Sequence, residues 1–164
     1  MDHFLRIMRK IDQLLNEYGE SHQNQTNKTI HWICVPLIFF SVIGLLASLP
    51  AGMVETIMGD RPYANWATVF TILAIAYYVT LSIPLTIGMM LFAALCLMIA
   101  GKIEGTATPL WAVSLFIFVV AWIGQFYGHK VEGKKPSFFK DLQFLLIGPA
   151  WLMHFVYKKL GIPY

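Results

Sequence analysis

Three stretches of the chain, residues 29–54, 62–101 and 105–129, contain no Asp, Glu, Lys or Arg. Each is longer than the ~20 apolar residues that a bilayer-spanning helix requires. The composition agrees: 57% of the residues are hydrophobic and 13% charged, about half the charged share of a soluble domain. A soluble enzyme, a disordered tail and a secreted disulfide scaffold are thereby excluded. The pattern predicts an all-α integral membrane bundle, one domain over residues 1–164.

Four transmembrane helices are expected, at about 32–49, 66–83, 85–100 and 110–127. A single helix over 66–100 would reach about 52 Å, against a hydrocarbon core of about 30 Å. Pro84 is the natural break, with a tight, charge-free hairpin around it. Pro36 is expected to kink the first span. A fifth apolar stretch, 142–157, is interrupted by Gly148-Pro149 and reads as a re-entrant segment or a fifth helix. Ahead of the spans, Phe4, Met8, Ile11, Leu15 and Tyr18 form one apolar stripe at helical spacing. Asp2 and Gly19 are candidate caps of that helix. Residues 1–21 thus read as an amphipathic helix, lying in the membrane interface or packed on the protein, and 22–157 as the bundle.

Charge sets the orientation. Arg6, Arg9, Lys10 and Lys28 precede the first span and Lys130, Lys134, Lys135 and Lys140 follow the fourth, whereas loops 50–65 and 101–109 carry one basic residue each. The positive-inside rule puts the N-terminus and loop 128–141 in the cytoplasm. The net charge of +3, placed near span ends, suits lipid headgroups rather than nucleic acid. Cys34 and Cys96 lie inside apolar runs and read as small buried hydrophobes. No cleavable signal is visible. Lys158 and Lys159 are poorly placed for a retrieval signal, which favours a bacterial inner membrane. Oligomeric state is open at this level.

Few polar groups accompany the spans. His22 and His31 precede or open the first, and His129 closes the fourth, so all three belong to the cytoplasmic side. Ionisable groups at membrane depth are costly and point to function. His22 and His31 are nine residues apart and would face opposite ways on one unbroken helix. The polar stretch 23–27 is turn and cap material, and a break there folds His22 back toward His31. Asn27 shares a face with His31. Trp122, Gln125, His129 and Glu132 form one stripe, with Gln125 and Glu132 placed to orient His129. No Gly-rich phosphate loop, nucleophile elbow or HExxH motif is present. The residues leave three readings: a mononuclear metal held by three or four imidazoles, a b-type haem on His31 and His129, or a lipid-binding or transport protein whose histidines only anchor helix ends.

The segment from Tyr18 through His22, Asn27 and His31 to Val35-Pro36 resembles the opening motif of a small membrane family. Gln125, Gly128 and His129, followed by Glu132 and Pro136, resemble its second motif, and Gly148-Pro149 its closing one. The family includes the fungal 2-hydroxy fatty acid dioxygenase of phytosphingosine breakdown. The resemblance covers residues 18–157. It implies an Fe(II)-dependent dioxygenase that uses O₂ to shorten a 2-hydroxy fatty acid by one carbon, with membrane lipids around it. It also implies His22, His31 and His129 as iron ligands. At the closing motif this chain has His154 where the fungal members have a carboxylate, which makes His154 the candidate fourth ligand. A 2-hydroxy acid can chelate iron through its carboxylate and hydroxyl, and Lys28, Lys130, Lys134 or Lys135 would attract that carboxylate.

Overall fold

A computed structural model describes residues 8–59, 61, 63–133 and 144–164, and among them the fold is entirely helical. The helices are α1 (Lys10–Glu20), α2 (Gln25–Ala47), α3 (Gly52–Met58), α4 (Trp66–Leu81), α5 (Ile83–Glu104), α6 (Leu110–Glu132) and α7 (Ile147–Leu160). Phe4, Asp2, Lys134, Lys135, Pro136 and Lys140 lie outside the described residues.

Local chemistry sets the breaks. Asn24 starts α2, its side-chain oxygen accepting from the backbone N–H groups of Thr26 at 2.8 Å and Asn27 at 3.3 Å. Ser82 alone separates α4 from α5, and Pro84 sits in the first turn of α5, where its missing N–H leaves no bond unmade. The hairpin expected at Pro84 therefore forms, turning at Ser82. Pro36 lies inside α2 without ending it. Gly133 closes α6 at φ 74°, a conformation that favours glycine.

Three helices, α2, α5 and α6, are long and apolar enough to cross a membrane. The second expected span, 66–83, is α4, which has 16 residues and reaches about 24 Å, short of the ~30 Å core. α7 has 14 residues, and Gly148-Pro149 lies in its first turn rather than interrupting it. The outward faces of α5 and α6 remain apolar: Leu91, Phe116 and Ile123 are each more than 60% exposed, a surface that suits acyl chains better than water.

The antiparallel pair α2–α6 is the most extensive contact in the bundle. It is close because small residues face larger ones at three levels. A Cβ on Gly44 would collide with Ser114, one on Gly124 would sit 2.7 Å from Cys34 Sγ, and one on Gly128 would collide with the Asn27 side chain. Two tyrosines tie the α4–α5 hairpin to α7: the Tyr78 hydroxyl donates to the Leu146 carbonyl at 2.6 Å, and that of Tyr157 to the Pro84 carbonyl at 2.7 Å. The start of α2, the end of α6 and this hairpin thus share one end of the bundle. Helix α1 completes that end. Its stripe residues Ile11, Leu15 and Tyr18 are buried in one cluster with Trp151 and Leu152 of α7, so the stripe faces protein, the second of its two expected settings.

Candidate metal centre

At that end His22, His31 and His129 converge, all less than 5% exposed. The chain breaks after α1, as the polar stretch predicts, and the short turn before Asn24 carries His22 inward. Its ring stacks on Tyr18 with centroids 4.2 Å apart and planes 14° from parallel. Its Nδ1 donates to the Tyr18 carbonyl at 2.6 Å. His31, in the second turn of α2, donates from Nδ1 to the Asn27 carbonyl at 2.9 Å. A carbonyl only accepts, so in both rings Nδ1 carries a proton, and the neutral ring then has its lone pair on Nε2, the tautomer that ligates through that atom.

The rings contact one another edge-on. Centroids are 4.2 Å apart for His22–His31, 5.1 Å for His31–His129 and 5.6 Å for His22–His129. One ligating nitrogen from each residue lies within 4.8 Å of the others. The Nε2 of His31 is buried and has no hydrogen-bond partner. A buried imidazole nitrogen without a proton donor is costly in a folded chain. Three imidazoles arranged this way fit a cation with nitrogen preference. The arrangement leaves no slot for a porphyrin between His31 and His129, since His22 touches both.

Surrounding residues hold this geometry. Glu132, at the end of α6, accepts from the backbone N–H of Gln23 at 2.8 Å, that of Asn24 at 2.9 Å and the Asn27 side-chain amide at 3.1 Å. Asn27 is fully buried and also donates to the Ser21 carbonyl at 3.2 Å. One carboxylate therefore clamps the His22 turn and the first turn of α2 to α6. The sequence expects Glu132 to orient His129; these three bonds reach the other half of the site. Gln125, expected in the same role, is buried in the wall of a small cavity beside Tyr18, Trp122 and Gly148.

Replacing Glu132 by Ala removes three acceptor contacts at once. Metal affinity is expected to fall about 10- to 100-fold, as for other outer-shell partners, with Glu132→Gln losing less. A metal titration monitored by the imidazole ligand-field bands or by equilibrium dialysis checks this.

The candidate fourth ligand, His154, lies outside the three-histidine group and pairs through Nδ1 with the Tyr164 hydroxyl. Its ring, on α7, faces Tyr164 and Phe155. Burial, and then the neighbouring Lys158 charge, pushes its pKa below the usual histidine value. Of the candidate lysines, Lys28 is half-buried and lines a cavity that also contains His22, whereas Lys130 is exposed on the last turn of α6. Two residues beside the cluster were not assigned a role from sequence: Tyr18, visible there only as part of a motif and a stripe, and Trp151, whose ring lies 5.4 Å from that of His22.

Fold and site together define a class: an apolar helical bundle with a buried three-histidine centre at one end. Comparison with known proteins narrows it. The family model described as 2-hydroxy-palmitic acid dioxygenase Mpo1-like matches residues 8–160, and the chain belongs to that family. It is 29% identical over 149 residues to a Saccharomyces cerevisiae protein named 2-hydroxy-palmitic acid dioxygenase MPO1, an alignment covering 90% of this chain and 79% of the yeast protein. No solved structure matches the chain.

Proposed function

We propose that this protein is an Fe(II)-dependent dioxygenase of the membrane that shortens 2-hydroxy fatty acids by one carbon. The observation that carries the reading is the convergence of three buried imidazoles, with Nδ1 of His22 and of His31 already committed to carbonyls, in a chain of this family. His22, His31 and His129 would hold the metal, which when bound supplies the site for activating O₂ toward the substrate. The overall stoichiometry closes without an outside reductant: the 2-hydroxy acid and O₂ give the acid one carbon shorter, CO₂ and water.

The chain's own residues set the conditions for that chemistry. The Tyr18 and Asn27 carbonyls hold the neutral rings of His22 and His31 in the tautomer that carries its proton on Nδ1 and its lone pair on Nε2. Trp151 borders the cluster and limits water near it. Lys28 supplies positive charge for the substrate carboxylate. The exposed apolar faces of α5 and α6 set the bundle in the apolar medium from which an acyl chain arrives. The basic residues around this end argue for a cytoplasmic orientation, in a bacterial inner membrane. Iron-reconstituted protein supplied with 2-hydroxypalmitate is expected to yield the acid one carbon shorter, with palmitate unchanged because it lacks the hydroxyl. Equal consumption of both acids would count against the reading.

A further inference from the structure

Two cavities flank α7, and the helix period assigns opposite sides of it to each. Trp151, His154, Phe155 and Lys158 line a cavity of about 410 Å³ that also contains His22 and Lys28. Pro149, Leu152, Met153 and Val156 line one of about 150 Å³, closed on its other sides by Trp32, Pro36 and Phe92. Phe155 stands between them: its ring is 4.7 Å from Trp151 and 6.3 Å from Trp32. The first cavity has two lysines against one carboxylate, Glu20, and abuts the histidine cluster. The second is lined by apolar side chains, and Trp32 and Val156 are exposed, so it reaches the outer surface between α2 and α7.

We propose that the two cavities form one binding site for a single-chain amphiphilic acid. Lys28 and Lys158 hold the carboxylate in the larger cavity, and the tail passes Phe155 into the groove beside Val156. Lys158 is a substrate-binding residue in this assignment, one helical turn beyond His154 on the face of α7 that lines the larger cavity. Charge complementarity selects the acid head, and the apolar groove selects a long tail. The assignment rests on the function proposed above for the choice of ligand, a 2-hydroxy acid, but not on turnover.

The test therefore uses metal-free, full-length protein in neutral detergent, with displacement of a fluorescent fatty acid as the readout. Wild-type protein is expected to bind 2-hydroxypalmitate about tenfold more tightly than its methyl ester. The double variant Lys28→Gln, Lys158→Gln is expected to lose that preference while its ester affinity stays the same. Val156→Trp, a surface change that fills the groove, is expected to weaken binding of the 16-carbon acid about tenfold and spare 2-hydroxyoctanoate. An unchanged acid-to-ester ratio in the double variant would overturn the proposal. So would displacement by phosphatidylglycerol as readily as by the acid, since the lysines would then be headgroup ligands. Failure of iron-loaded wild-type protein to shorten the acid would sink the proposed function and leave the binding result to stand alone.

Discussion

Alanine at His31 is expected to abolish Fe(II) binding and turnover while leaving the helical bundle folded. His31 is the most deeply placed of the three proposed ligands, 1% exposed, and its ring touches those of both His22 and His129. Its removal takes one of three nitrogens from the centre and leaves the Asn27 carbonyl without the Nδ1 donor. Loss of a ligating residue should exceed the roughly 10- to 100-fold drop that follows loss of an outer-shell partner. The main hydrophobic clusters rest on other residues, among them Phe39, Ile43 and Leu85, so far-UV circular dichroism and the gel-filtration profile should match wild type. His22→Ala and His129→Ala should behave in the same way. His154→Ala should retain iron, because that ring lies apart from the cluster and pairs with Tyr164. Iron retained by His31→Ala, or lost by His154→Ala, would break the ligand assignment.

Gly128→Val is expected to act on the site through the fold. Gly128 packs against the Asn27 side chain so closely that even a Cβ would collide with it. Asn27 has little freedom to retreat, being fully buried and tied to Glu132 and to the Ser21 carbonyl. Forcing extra carbons into such a contact typically costs about 1–3 kcal/mol. Here the strain falls on the residue whose carbonyl orients His31 and on the helix that carries His129 one position later. Both thermal stability and metal affinity should fall, the affinity steeply. Gly101→Ala supplies the control: a Cβ there meets nothing within 4 Å, and alanine is the better helix former. Loss of metal by Gly101→Ala, or full metal affinity in Gly128→Val, would show that the α2–α6 approach does not position the site.

The histidine convergence was legible because it depends on local chemistry. The polar stretch 23–27 contains the strong cap Asn24, and the break between His22 and His31 follows from it, although residues 25–27 already belong to α2. The four-residue spacing of Asn27 and His31 likewise announces a shared face. The resemblance, rather than spacing, distinguished a three-histidine metal centre from a haem pair. What was not legible is carried by contacts between distant segments. Glu132 and Gln23 are 109 residues apart, and no periodicity on α6 reveals that its last carboxylate caps a turn on the other side of the site. The pairing of His154 was hidden for the same reason: its partner, Tyr164, is brought back only by the turn after α7. The length of α4 was overestimated because hydropathy continues through Ser82, whereas the extended backbone at Ser82 ends the helix.

Anaerobic protein reconstituted with one equivalent of Fe(II) and 2-hydroxypalmitate, then exposed to ¹⁸O₂ and examined by mass spectrometry, tests the central claim most directly. The expected result is a fatty acid one carbon shorter that carries label from O₂ in wild-type protein and is not formed by the His22, His31 or His129 alanine variants. Unaltered 2-hydroxypalmitate in the wild type, or the same product from the alanine variants, would contradict a dioxygenase built on these three histidines.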